Sequence, residues 1–165
     1  MATVTLGGNP VNTSGDLPAV GSSTPAFSLI GSDLGELTHE HVAGKKVVLN
    51  IFPSIDTPTC ATSVRQFNER AGGRDDVVVV CISEDLPFAQ SRFCGAEGIE
   101  GVITASSFRS DFGSDYGVEL IDGKLAGLLG RAVVVVDESG TVVHTELVAE
   151  IANEPDYEAA LAALT

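Results

Sequence analysis

The sequence predicts an α/β protein: a central mixed sheet flanked by helices, preceded by an N-terminal β-hairpin. Three observations lead there. Short, nearly continuous apolar runs at 47–52, 77–83 and 132–136 read as buried strands. Between the first two, Ala61, Val64, Phe67 and Ala71 recur at helical spacing until Gly72-Gly73 stops the pattern. Strand–helix–strand order implies parallel pairing through a right-handed crossover. In contrast, Glu138-Ser139-Gly140 turns the third run directly into 141–147, an antiparallel pair.

The remaining elements follow in order. Residues 3–6 and 11–13 flank Gly7-Gly8 as the hairpin, with Pro10 making one strand irregular. A Gly/Ser/Pro-rich stretch at 21–25 leads into a strand at 27–30, and 37–42 forms a short strand or turn. A second helix spans 86–95: Asp85 suits its N-cap, Pro87 its first position and Gly95 its end. Residues 102–105 make a short strand, and 107–116 a partly helical connection. A closing helix at 154–164 carries Tyr157, Ala160, Leu161 and Leu164 on one face. This β-α-β followed by β-β-α is the thioredoxin-like arrangement.

At 165 residues, with 44% hydrophobic, the chain is expected to form a single domain over 1–165. No apolar run approaches the roughly 20 residues of a membrane helix. The start, Met1-Ala2-Thr3-Val4, lacks the basic and apolar segments of a secretory signal, so a cytoplasmic location is expected. The net charge of −14 disfavours nucleic acid and anionic membranes as partners. Three cysteines in such a chain argue for transient rather than structural disulfides. His39, His41 and His144 show no zinc-ligand spacing, and the 18 glycines hold no phosphate-loop pattern.

The informative segment runs from Asn50 to Cys60. Pro53 ends the first buried strand, and Cys60 falls in the first turn of the helix that follows. Free backbone N–H groups and the positive end of the helix dipole stabilise a thiolate there, the nucleophilic and oxidisable form of cysteine. Placement alone leaves a buried structural thiol as the alternative. Cys94 lies 34 residues on, in the second helix, and could meet Cys60 if the helix ends loosen. An attacking and a resolving thiol are what a sulfenic-acid cycle requires. Cys81, within the run Val77-Val78-Val79-Val80-Cys81-Ile82, reads as an inert buried thiol.

Pro53-x-x-x-Thr57-x-x-Cys60 resembles the active-site motif of the peroxiredoxins. The segment Leu86-Pro87-Phe88-Ala89-Gln90 through Arg92-Phe93-Cys94-Gly95 is similar to the resolving-cysteine segment of their bacterial thiol peroxidase subgroup, the atypical two-cysteine type. Asn9-Pro10 near the start and Tyr157-Glu158-Ala159-Ala160 near the end are similar too, so the likeness spans nearly the whole chain. The resemblance implies a thiol-dependent peroxidase acting on hydrogen peroxide and organic hydroperoxides. Cys60 would become a sulfenic acid, and Cys94 would close an intramolecular disulfide on it. Thioredoxin or a similar dithiol would reduce that bridge, and the chain would work as a homodimer. No metal or organic cofactor is required. Thr57 would set a hydroxyl beside the sulfur and the peroxide, and Pro53 would shield the sulfur from water.

The site also needs a cation. Arg131, at the start of the 132–136 strand, matches the family's peroxide-binding arginine, which stabilises the thiolate. On sequence alone Arg65 and Arg92 compete, although Arg65 lies about 140° around the helix from Cys60. The disulfide requires Cα atoms within roughly 7 Å, so local unwinding of one or both helix ends is expected.

Overall fold

In the computed structural model, which describes Met1–Thr165, the hairpin consists of β1 (Thr3–Leu6) and β2 (Asn9–Asn12). The main sheet contains β3 (Ser28–Gly31), β4 (Glu36–Thr38), β5 (Lys46–Ile51), β6 (Val77–Ser83), β7 (Ile103–Ser106), β8 (Ala132–Val136) and β9 (Val142–Leu147). Its seven strands lie in the order β4-β3-β7-β6-β5-β8-β9. The pairs β5–β6 and β6–β7 are parallel, and the others are antiparallel. The helices are α1 (Pro58–Ala71), α2 (Pro87–Glu97), the one-turn α3 (Phe112–Asp115) and α4 (Tyr157–Ala162), with a 3₁₀ turn at His39–Val42. The predicted mixed sheet, helices and hairpin therefore all form.

Strand alternation explains why β5, β6 and β8 read as continuous apolar runs. Val48, Val79, Cys81, Val133 and Val135 face a cluster built with α1, α2 and α4. Val47, Leu49, Ile51, Val80, Ile82 and Val134 face a second cluster containing Phe27, Phe112 and Tyr116. Side chains two apart share a face, so a strand covered on both faces must be apolar at nearly every position. Phe67 of α1 meets Tyr157 of α4 edge-to-face at 5.2 Å, and the Arg70 guanidinium lies 5.2 Å from the centroid of that same ring. These contacts fix α4 against α1, and Phe67→Ala would cost about 3–5 kcal/mol.

Helix boundaries differ from the sequence reading at several ends: the closing helix is shorter, Tyr157–Ala162 rather than 154–164, and α2 departs at both of its ends. Gly95 does not end the second helix; α2 continues to Glu97 and stops at Gly98, whose φ of 66° suits a residue without a β-carbon. Gly95 is tolerated because it sits on an exposed face. Asp85 is not the N-cap of α2. Leu86 holds that position and Pro87 opens the helix, while the Asp85 carboxylate turns back to the loop before α1.

Candidate active site

Cys60 is the third residue of α1 and has no exposed surface. The local sequence determines this placement. Pro53 is buried just after β5, and the loop 54–57 turns the chain. Thr57 takes the N-cap position with extended backbone, and Pro58 opens the helix, where its missing N–H costs nothing. The Thr57 hydroxyl donates to the Ser54 carbonyl at 2.9 Å rather than capping the helix, on the exposed rim of the site.

Arg131 immediately precedes β8 and is 2% exposed. Its Nη2 donates to Cys60 Sγ at 3.2 Å, and its Nε donates to the Ile151 carbonyl at 2.7 Å. Its Nη1 is buried without a hydrogen-bond partner. A buried guanidinium donor left unpaired is costly. The guanidinium and the helix start both set positive charge beside the Cys60 sulfur. Arg65 and Arg92 are engaged elsewhere. Arg65 pairs with Glu97 and stacks over Phe93, while Arg92 bonds Asp56 at 2.8 Å on the surface.

The Ile151 carbonyl is itself held. Ile151 N donates to Thr5 O at 2.8 Å, and Thr5 N donates to Ala149 O at 2.7 Å. The Glu150 carboxylate accepts from the N–H groups of Ala152 at 3.0 Å and Gly8 at 2.9 Å, and these bonds lower its pKa. Thr59, on the first turn of α1, donates to Ala152 O at 3.0 Å. The hairpin thus braces the segment that orients Arg131. Sequence reading treated Gly7-Gly8 only as a turn. Nothing in the sequence pairs that turn with Glu150, 142 residues away.

Cys94 is half-buried and packs against the cluster that contains Cys60 and Cys81. Burial raises its pKa, so it remains a thiol in this conformation. All three cysteines are free. Cys81 is fully buried, and desolvation pushes its thiol up to about 12. Asn50, a polar residue following the apolar run Val47–Leu49 of β5, donates to Cys81 Sγ at 3.7 Å and to Ser63 Oγ at 3.2 Å. Ser63 in turn donates to the Cys60 carbonyl at 2.7 Å. The structure therefore brings Cys60 and Arg131 together, with Thr57 and Pro53 in the turn before them and Cys94 on the neighbouring helix. No group of three or more His, Cys, Asp or Glu side chains is arranged to hold a metal ion.

A buried thiol at a helix start, held under a guanidinium at the end of an inner strand of a mixed sheet, defines a thiol-based redox enzyme. Comparisons with known proteins agree. The Redoxin family model matches residues 19–161. The thiol peroxidase of Mycobacterium tuberculosis is 62% identical over 164 residues, covering 99% of each chain. The thiol peroxidase of Corynebacterium glutamicum is 56% identical with the same coverage. Among solved structures, a peroxiredoxin-like protein from Aquifex aeolicus superposes with a TM-score of 0.94 at 39% identity, over 99% of this chain and 96% of that one. The chain belongs to the Redoxin family, within its bacterial thiol peroxidases of the peroxiredoxin class, and has thiol-dependent peroxidase activity. No helix is long and apolar enough to cross a membrane.

Proposed function

We propose that Cys60 reduces hydrogen peroxide and organic hydroperoxides, that Cys94 resolves the product as an intramolecular disulfide, and that thioredoxin or a similar dithiol restores both thiols. The observation that carries this reading is Arg131: one guanidinium nitrogen lies 3.2 Å from Cys60 Sγ, and another is buried with no partner. A peroxide oxygen accepting from Nη1 would sit beside the sulfur, where orientation and charge stabilisation act together.

In the first step the Cys60 thiolate attacks one peroxide oxygen and the O–O bond breaks. The departing hydroxide or alkoxide takes a proton and leaves as water or alcohol. Sulfur loses two electrons and becomes a sulfenic acid. Thr57 Oγ1 spends its proton on Ser54 O, which leaves its lone pairs to accept the peroxide O–H. Pro53 closes the wall behind the loop. In the second step Cys94 sulfur attacks Cys60 sulfur, the S–O bond breaks, and hydroxide leaves as water with the Cys94 proton. Exchange with an external dithiol completes the cycle. A cytoplasmic location fits dependence on such a reductant. A homodimer fits the exposed apolar side chains of Leu86 and Phe88 at the start of α2.

The test is peroxide-dependent NADPH oxidation coupled through thioredoxin reductase and thioredoxin. Turnover is expected to vanish in Cys60→Ser, to be lost in Cys94→Ser with a trappable sulfenic acid remaining, and to persist in Cys81→Ser. Turnover surviving in Cys60→Ser would overturn the assignment.

A further inference from the structure

We infer that Asp85 is a positioning residue that holds the loop before Cys60 closed for peroxide attack, and that its release sets the rate at which Cys94 can reach Cys60. This rests on the two-cysteine cycle proposed above. Asp85 belongs to neither helix, yet its carboxylate joins what leads into both. Oδ2 accepts from Ile55 N at 2.6 Å and from Ser83 Oγ at 2.6 Å, and Oδ1 accepts from Ser54 Oγ at 2.8 Å. Its own carbonyl accepts from Ser106 Oγ at 2.5 Å, which anchors the residue to β7. Ser83 Oγ also accepts from Gln90 Nε2 at 3.1 Å, so the chain of bonds continues into α2 one turn before Cys94.

No cation pairs with this carboxylate, so three neutral donors satisfy it. Bonds to a half-buried charge are the strong kind, and losing one leaves the charge under-solvated. The second link between the same elements, Asp56 with Arg92, is exposed on both sides and holds little. Ser54 transmits the grip of Asp85 to the loop. Its hydroxyl bonds Asp56 N at 3.2 Å, and its carbonyl takes both the N–H and the hydroxyl of Thr57. Loosening Asp85 therefore loosens the N-cap of α1.

The two chemical steps need opposite things from this loop. Peroxide attack needs Cys60 held under Arg131. Resolution needs Cys60, which has no exposed surface, to leave that pocket and approach a half-buried Cys94 in the third turn of α2. Opening must break the bonds from Ser54 and Ile55 to Asp85.

Asp85→Asn tests this. Its amide keeps one acceptor but presents NH₂ where the carboxylate accepted a second set of donors. The readouts are rapid-mixing rates for Cys60 oxidation and for Cys60–Cys94 disulfide formation, plus the sulfinic acid formed at high peroxide. Oxidation is expected to slow about tenfold, the loss of roughly one such bond. Disulfide formation is expected to quicken severalfold, and sulfinic acid to fall. Ser54→Ala removes a single donor, should move each rate the same way by less, and serves as the test if Asp85→Asn does not fold. Both rates unchanged, or both reduced by one factor, would overturn the inference. A wild-type protein that forms a peroxide-dependent Cys60–Cys94 bridge beside an indifferent Asp85→Asn defeats only this inference. A wild-type protein that forms none defeats the underlying cycle.

Discussion

Cys60 and Cys81 lie fully buried in one hydrophobic cluster, joined by a short chain of bonds through Asn50 and Ser63. Their surroundings differ in two respects. Cys81 sits mid-strand, where every backbone N–H is committed to the ladder, and its one polar neighbour is a neutral amide 3.7 Å away. Cys60 sits where a helix begins and faces a guanidinium at 3.2 Å. Burial alone pushes a thiol's pKa up, as it does for Cys81. What separates the thiols is which charges and dipoles share the dry space, because their effect grows as water is excluded.

The largest expected effect follows from removing that difference. Arg131→Met leaves Cys60 at its helix start but without the cation, much as Cys81 is. Oxidation of Cys60 by peroxide should slow on the order of 10²–10³-fold, the range for losing one charge-stabilising donor set. Arg131→Lys should recover only part, since an ammonium's donors radiate from one nitrogen and cannot reproduce the planar spread by which Nε reaches Ile151 O and Nη2 reaches Cys60 Sγ while Nη1 stays free. The rate of sulfenic acid formation measures both. A Met variant within twofold of wild type would mean that the helix start alone separates the two thiols.

A smaller contrast should appear in alkylation. With iodoacetamide near neutral pH and limited reagent, peptide mapping should find Cys60 modified at least about tenfold faster than Cys81, because Cys60 faces a guanidinium while burial holds Cys81 in the unreactive protonated form. Equal labelling would show that shared burial outweighs the guanidinium.

Much of this contrast was legible in the sequence. Strand-to-helix order around Pro53 and Cys60 placed one thiol at a helix start, and the unbroken run around Cys81 placed the other in a buried strand, because both depend on local pattern. Three things were not legible. Without the family resemblance, which singled out Arg131, the choice among Arg65, Arg92 and Arg131 is a tertiary fact; only folding shows that Glu97 and Asp56 take the first two. The brace from Gly8 through Glu150 to Arg131 joins residues at opposite ends of the chain. Asp85 has the composition of an N-cap, and local propensity favours that role. In the fold its carboxylate satisfies donors of the neighbouring loop instead, and Leu86 and Pro87 start the helix without it.

The smallest expected effect is thermodynamic and concerns Cys81 alone. The folded protein holds this thiol protonated to about pH 12, whereas in the unfolded chain it ionises near 8.5. Between those values the unfolded state binds fewer protons than the native state, so unfolding becomes easier as pH rises. Cys81 therefore contributes stability that is complete below about pH 8.5 and declines above it, by up to about 1.4 kcal/mol per pH unit. Cys81→Ala should show a shallower decline between pH 8 and 10 in urea unfolding under reducing conditions. Its overall stability shifts as well from the lost side chain, so the slope rather than the intercept is diagnostic. Every other ionisable group is common to the two proteins, so the comparison isolates Cys81. Parallel slopes would mean that Cys81 gains contact with water or a proton acceptor as the pH rises, and the two buried thiols would then differ less than their surroundings imply.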